Sequence, residues 1–164
     1  MKIISKQTNS RNCIVCGIDN PNGLKASFYN MEDGSCIALF QFNEMNQSYP
    51  NRTHGGLITA ILDETIGRAI WVKDPTLFGV TMKIEVQFHK PAPYGVPLKC
   101  VGRIAKETGL TFEGIGELYD MDGKLLDRAF ATYFKLSLEK ATQDGVDHSE
   151  EINVMVPDGL TEIQ

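Results

Sequence analysis

The chain lacks any run of about twenty apolar residues, the length a helix needs to cross a bilayer core, so no membrane span is expected. Its start, Met1-Lys2-Ile3-Ile4-Ser5-Lys6-Gln7, breaks off before it forms the apolar stretch of a secretory leader, and a cytoplasmic protein is expected. Cysteine is scarce, with four in 164 residues, at 13, 16, 36 and 100. Without a secretory leader a disulfide framework is not expected, and all four are read as reduced thiols. No second C-x-x-C and no H-x(3–5)-H accompanies Cys13-x-x-Cys16, so no metal site is expected, and the pair is not read as a redox centre either. The serine elbow G-x-S-x-G is absent, which removes one common route to ester hydrolysis. A basic stripe is missing too. The net charge is −5, and residues 139–164 hold seven acids against Lys140. The rest of the chain is therefore close to neutral and offers no footprint for nucleic acid.

What is present suffices for one compact domain, since 42% of the residues are apolar and 9% aromatic. Residues 1–22 are polar and broken by Asn20-Pro21-Asn22-Gly23, which predicts a leader segment. A hairpin is expected from Leu24 to Phe42, turning at Glu32-Asp33-Gly34, and residues 43–53 read as a loop. The one long helical candidate runs from Gly55 to Val72. Its apolar residues cover more than one stripe, so burial on most sides is expected.

Next, Phe78, Val80, Met82, Ile84, Val86 and Phe88 alternate with polar residues at the period of a half-buried strand. Strands follow over residues 96–107 and 110–119. After Asp122-Gly123, Phe130, Thr132, Phe134, Leu136 and Leu138 give a last alternating strand. The boundaries are thus a domain over residues 23–138 and an acidic, mobile tail over 139–164. Two strands, a helix and four strands on short turns predict an α+β fold with an antiparallel sheet. A single curled sheet leaves one face and one edge open, and pairing with a second copy would cover both.

The helix carries the chemistry. Thr53-His54-Gly55-Gly56 precede it, and the two glycines let a ligand approach first-turn amides that lack an intrahelical acceptor. Such amides attract a phosphate, a carboxylate or an oxyanion. Asp63 and Glu64 stand in the middle of this apolar helix, where an unpaired carboxylate is unfavourable. Glu64 has Arg68 four residues on, so an i,i+4 ion pair explains it. Asp63 has only Thr59 and Gly67 at that spacing, which makes it the candidate for function. It lies about 10 Å along the helix from Gly56, too far for both to grip one carbonyl within a single chain.

Thr53-His54-Gly55-Gly56-Leu57-Ile58-Thr59-Ala60-Ile61-Leu62-Asp63-Glu64 resembles the HGG-x(6)-D signature of the hotdog acyl-CoA thioesterases of the phenylacetate-pathway and 4-hydroxybenzoyl-CoA types. The stretch from Gly79 to Pro91 is similar to their following strand, and Asn12-Cys13-Ile14-Val15-Cys16-Gly17 through Gly23-Leu24-Lys25 to a leader found in some of them. The resemblance implies a hotdog fold, about six antiparallel strands wrapped on one central helix, assembled as a homodimer or a dimer of dimers. It implies hydrolysis of an acyl-CoA, with no cofactor beyond the coenzyme A of the substrate. Carried over by position, Gly56 supplies the oxyanion amide, Asp63 of the partner chain activates water or attacks directly, Thr81 positions that water, and His54 braces the loop or touches the thioester oxygen. Gly55, Lys90 and Glu64 join them as substrate-contacting candidates, Lys90 as a cation for a CoA phosphate. The polar residue that assists from the loop before His54 stays open among Gln47, Ser48 and Asn51. Two other readings stay open: a hydratase or dehydratase of the same fold with His54 as acid or base, and a non-catalytic acyl-CoA binder.

Overall fold

The computed structural model describes all residues, 1–164. Nine strands are present: β1 (Ile3–Lys6), β2 (Ser27–Met31), β3 (Cys36–Gln41), β4 (Gln47–Tyr49), β5 (Arg52–Thr53), β6 (Phe78–Phe88), β7 (Pro97–Glu107), β8 (Thr111–Asp120) and β9 (Leu125–Leu136). The helix α1 spans Gly55–Arg68 and runs into a 3₁₀ turn over Ala69–Val72, and two short helices follow β9, α2 (Leu138–Thr142) and α3 (Ser149–Ile152). Seven strands form one sheet in the order β1-β2-β3-β7-β8-β9-β6, antiparallel throughout, while β4 and β5 make a small ribbon of their own. The six expected strands are there. The leader supplies a seventh, because Ile3–Lys6 pairs along β2.

The sheet curls around α1. Ile58, Ile61, Leu62 and Ile66 are buried against Phe28, Ala38, Cys100, Phe112, Leu118 and Ala129 in one apolar core. Helix and sheet approach so closely that two sheet positions admit no side chain: a Cβ on Gly102 would lie 2.4 Å from the Thr65 carbonyl oxygen, and one on Gly114 would lie 2.4 Å from Ile66 Cγ2. Of the 14 residues of α1 only Gly56 is exposed; Ala60, Asp63 and Gly67 are half-buried, the last two against Tyr133 of β9, so the helix is covered on most sides, as expected. No helix is long and apolar enough to cross a membrane.

Two strands present faces that simple alternation does not predict. In β9 it is Ala129, Ala131 and Tyr133 that point at the helix, while Phe130 and Phe134 stand outward and exposed. In β6 the pairing with β9 slips between Thr81 and Lys83: Val86 lies opposite Ala129, Ile84 opposite Ala131, and Thr81 opposite Tyr133. Strict alternation would have put Met82 there. The irregularity turns Thr81 onto the helix side, as bulges do when they re-aim a side chain.

The acidic tail, expected to be mobile, is laid against the molecule. Val154 bridges Asn9, Glu162 bridges Lys2, and Ile163 is buried with Tyr29, Met31, Ile37 and Val101 on the outer side of the sheet. Its Asp158 accepts a hydrogen bond from Lys6 Nζ at 2.7 Å and another from the Tyr29 hydroxyl. One apolar side chain with a gap to fill, and one acid with two donors, hold a segment whose composition alone reads as solvated.

Candidate functional site

The middle of α1 sets Asp63 between helix and sheet. Its Oδ1 accepts hydrogen bonds from Thr81 Oγ1 at 2.9 Å and from Tyr133 Oη at 2.8 Å. The donors come from opposed positions of β6 and β9, so the slip in β6 is what brings both hydroxyls to one oxygen. Tyr133 is buried, stacked on Phe112 with ring centroids 4.8 Å apart, and its own hydroxyl is pushed up by burial and then by the neighbouring Asp63 charge. Asp63 Oδ2 receives no hydrogen bond from the chain. A cavity of about 240 Å³ opens at this carboxylate, walled by Gly67, Trp71, Phe78, Gly79, Thr81 and Tyr133. Burial holds the Asp63 pKa above the usual aspartate range, against the two hydroxyl bonds, which pull it down. No cation neutralises it. Fixed at one oxygen and free at the other, it can accept a proton or attack a carbon only through Oδ2.

The start of α1 carries the amides. His54 is the N-cap, and its Nδ1 accepts from the Gly56 N–H at 2.9 Å, which places the proton of the neutral ring on Nε2. The amides of Leu57 and Ile58 both turn back to the His54 carbonyl, at 3.0 and 3.2 Å. The amide expected to hold an oxyanion, that of Gly56, is thus occupied by the histidine cap. In the first turn the Gly55 N–H is left without an acceptor in the chain. Gly55 lines a second cavity, of about 400 Å³, whose walls include Ser48, Arg52, Phe88, His89 and Lys90. Of the three loop residues left open, Ser48 is the one that lines it; Asn51 stands outside with a positive φ of 66° and donates its amide to the Tyr94 hydroxyl.

The expected site residues therefore fall into two groups. Asp63, Glu64 and Thr81 share one cavity and Gly55 and Lys90 the other, while His54 and Gly56 line neither and are bonded to each other. Glu64 is committed to Arg68, whose Nε donates to its Oε1 at 2.7 Å, so it is an ion-pair partner before it is a substrate contact. Tyr133 escaped the sequence reading, because an inward Tyr between two outward phenylalanines looks like the polar side of a strand.

Residues 51–135, just over half of the chain, match the profile of the thioesterase superfamily. The chain belongs to this superfamily. A Schizosaccharomyces pombe protein of uncharacterised role is 32% identical over 75 residues, which are 46% of this chain and 43% of that one, so the chain spans less than half of that relative's length. A crystal structure described as a thioesterase superfamily protein superposes with a TM-score of 0.69 at 23% identity, over 75% of this chain and 63% of that one, again under two thirds of its length. The Escherichia coli PaaI protein from the phenylacetic acid degradation operon gives 0.63 at 15% identity, covering 70% of this chain and 81% of its own. A Streptococcus pneumoniae protein described as a hypothetical thioesterase and solved with coenzyme A gives 0.61 at 19% identity, over 68% and 86%. At such identities the structural likeness is one of fold, and the hotdog thioesterase fold expected from the helix motif is the one this superfamily member has.

Proposed function

We propose that the protein hydrolyses an acyl-CoA thioester to a free acid and coenzyme A, at sites shared between two copies of the chain. The observation that carries this is the division of labour along α1. A carboxylate with one free oxygen lies on the wall of one cavity, and a residue whose amide has no acceptor in the chain lies on the wall of another. Two copies related by a two-fold axis, helices antiparallel, bring the Gly55 amide of one beside the Asp63 of the other. The edge for such pairing is β6, eleven residues long with β9 on one side only, and with Val80, Met82 and Phe88 exposed.

In that arrangement Asp63 Oδ2 takes a proton from a water, and the water oxygen attacks the thioester carbonyl carbon. The carbonyl oxygen gains charge against the Gly55 amide at the positive end of α1, a contact worth about 3 kcal/mol in comparable oxyanion sites. The tetrahedral intermediate expels the coenzyme A thiolate. Thr81 and Tyr133 hold the carboxylate while this happens. Arg52 and Lys90, on the walls of the Gly55 cavity, supply cations for the coenzyme A phosphates. That the Streptococcus pneumoniae relative was solved with coenzyme A supports the choice of carrier. His54 as the base of a hydratase is disfavoured, because its Nδ1 lone pair is taken by the Gly56 amide and its Nε2 then carries the ring proton.

The test is a thiol-release assay with short, aromatic and long acyl-CoAs on the wild type and on Asp63→Asn. Turnover that collapses in the variant while binding persists supports the reading. Equal activity in both removes Asp63 from the mechanism.

A further inference from the structure

The leader that the hydrolytic reading does not use carries chemistry of its own. Residues 13–17 form a single tight turn closed by the Gly17 amide on the Cys13 carbonyl at 2.8 Å. A Cβ at Gly17 would lie 2.3 Å from that carbonyl oxygen, so the turn depends on glycine. It brings Cys13 and Cys16 face to face: their sulfurs and the Glu64 carboxylate lie within 4.8 Å of one another. Cys16 is wholly buried, yet it is not in an apolar setting. Arg68 Nη2 lies 3.1 Å from its Sγ, and the Ser10 amide donates to it at 3.4 Å. Arg68 is itself buried and held from every side, by Glu64, by the Gln7 side chain and Thr8 carbonyl, and between the rings of Phe28 and Trp71 at 4.4 and 4.6 Å. Cys13 is half-buried and forms part of the wall of the Asp63 cavity.

We infer that Cys13 and Cys16 are a redox-active dithiol, which closes to an intramolecular disulfide by exchange with low-molecular-weight disulfides reaching Cys13 through the Asp63 cavity. The hydrogen bond from the Cys13 thiol and, against burial, the Arg68 charge hold Cys16 below the ordinary thiol range, while the same pairing and burial hold Cys13 above it, so of the two sulfurs Cys16 is the one that carries the negative charge. The Cys13 thiol gives its proton to the Cys16 thiolate as it attacks one sulfur of the external disulfide R–S–S–R, forming Cys13–S–S–R and expelling RS⁻. Cys16 returns the proton to that thiolate and attacks the Cys13 sulfur, expelling the second RS⁻. Two electrons pass from the two cysteine sulfurs to the external disulfide, and the proton and the negative charge leave with the two released R–S groups.

The same three donor atoms do not make a metal site. A dication on Cys13, Cys16 and Glu64 would have to displace Arg68 from both Cys16 and Glu64, where it already supplies the positive charge. Cys36 and Cys100 are different again: fully buried, and pushed up to about 12 by burial, they stay inert thiols.

The experiment uses the full chain, native, incubated with glutathione disulfide as probe, then quenched with acid, unfolded, alkylated and mapped by peptide mass. Needing no acyl-CoA, it stands apart from the hydrolytic reading. The expected result is a Cys13–Cys16 link with Cys36 and Cys100 alkylated, and on Cys16→Ser a stable glutathionyl adduct at Cys13. Cys13→Ser should leave Cys16 unmodified. Free thiols at both positions of the wild type would overturn the inference. So would a stable Cys13 adduct in the wild type that never resolves, or a bound stoichiometric zinc that blocks the reaction.

Discussion

The Tyr133 hydroxyl donates to Asp63 Oδ1 at 2.8 Å from directly across the strand pair that also presents Thr81 to the same oxygen. This contact makes Asp63 a one-sided base. Removing either donor frees Oδ1 to rotate and withdraws a bond that favours the ionised form. For Tyr133→Phe we expect turnover to fall while the acid limb of the kcat/KM profile moves to higher pH, since one of the two contacts that lower this raised pKa is gone. A profile with an unmoved acid limb would show that Tyr133 is packing alone.

Asp63→Asn keeps the hydrogen-bond geometry and removes the base. Turnover should drop by ~10²-fold or more with acyl-CoA affinity retained, measured by single-turnover thiol release beside equilibrium binding.

Gly55 occupies the first helical position of α1, after a residue whose ψ is 131°. The backbone there suits proline, because the missing N–H has no intrahelical role and the preceding residue is already extended; its Cβ, like that of alanine, would press on the Phe88 ring at 3.3 Å. Gly55→Pro therefore deletes the candidate oxyanion donor and leaves the helix in place. A loss of ~10² to 10³ in kcat with unchanged circular dichroism is expected. Gly55→Ala, which keeps the amide, should lose less, although its Cβ would press on the Phe88 ring at 3.3 Å.

Much of this was legible in the chain and some was not, for reasons that particular residues show. The apolar run around Asp63 and the glycines before it announce a helix with a functional acid, since composition and spacing are local properties. The partner of that acid is not local. It depends on a one-residue slip at Met82 that no alternation pattern reveals, because Phe78 to Phe88 alternate perfectly in sequence while the pairing does not. The outward placement of Phe130 and Phe134 escaped for a related reason: small Ala129 and Ala131 face the helix because the close-set core has no room for more. Which of two adjacent glycines offers a free amide was decided by the His54 ring, a contact between neighbours that residue types alone leave undetermined.

Asp127 is buried at the start of β9, with Oδ1 accepting the His89 amide at 3.2 Å and Oδ2 left without a partner. Burial pushes its pKa up to about 6, from an ordinary 3.8. The native state thus binds more protons than the unfolded chain across that window, and stability falls as pH rises from about 4 to about 6, by on the order of 2 to 3 kcal/mol. In Asp127→Asn this slope in Tm should flatten between those pH values. A slope unchanged from wild type would assign it to other groups.

The central claim is that each site is assembled from two chains, and subunit complementation tests it most directly. Asp63→Asn and Gly55→Pro, each inactive alone, would be mixed, exchanged through mild denaturant and assayed for thiol release. A mixed dimer has one site with both parts intact, so activity should return to about a quarter of wild type for equal, random pairing. No recovery, with mixed dimers demonstrated by mass, would contradict a shared site.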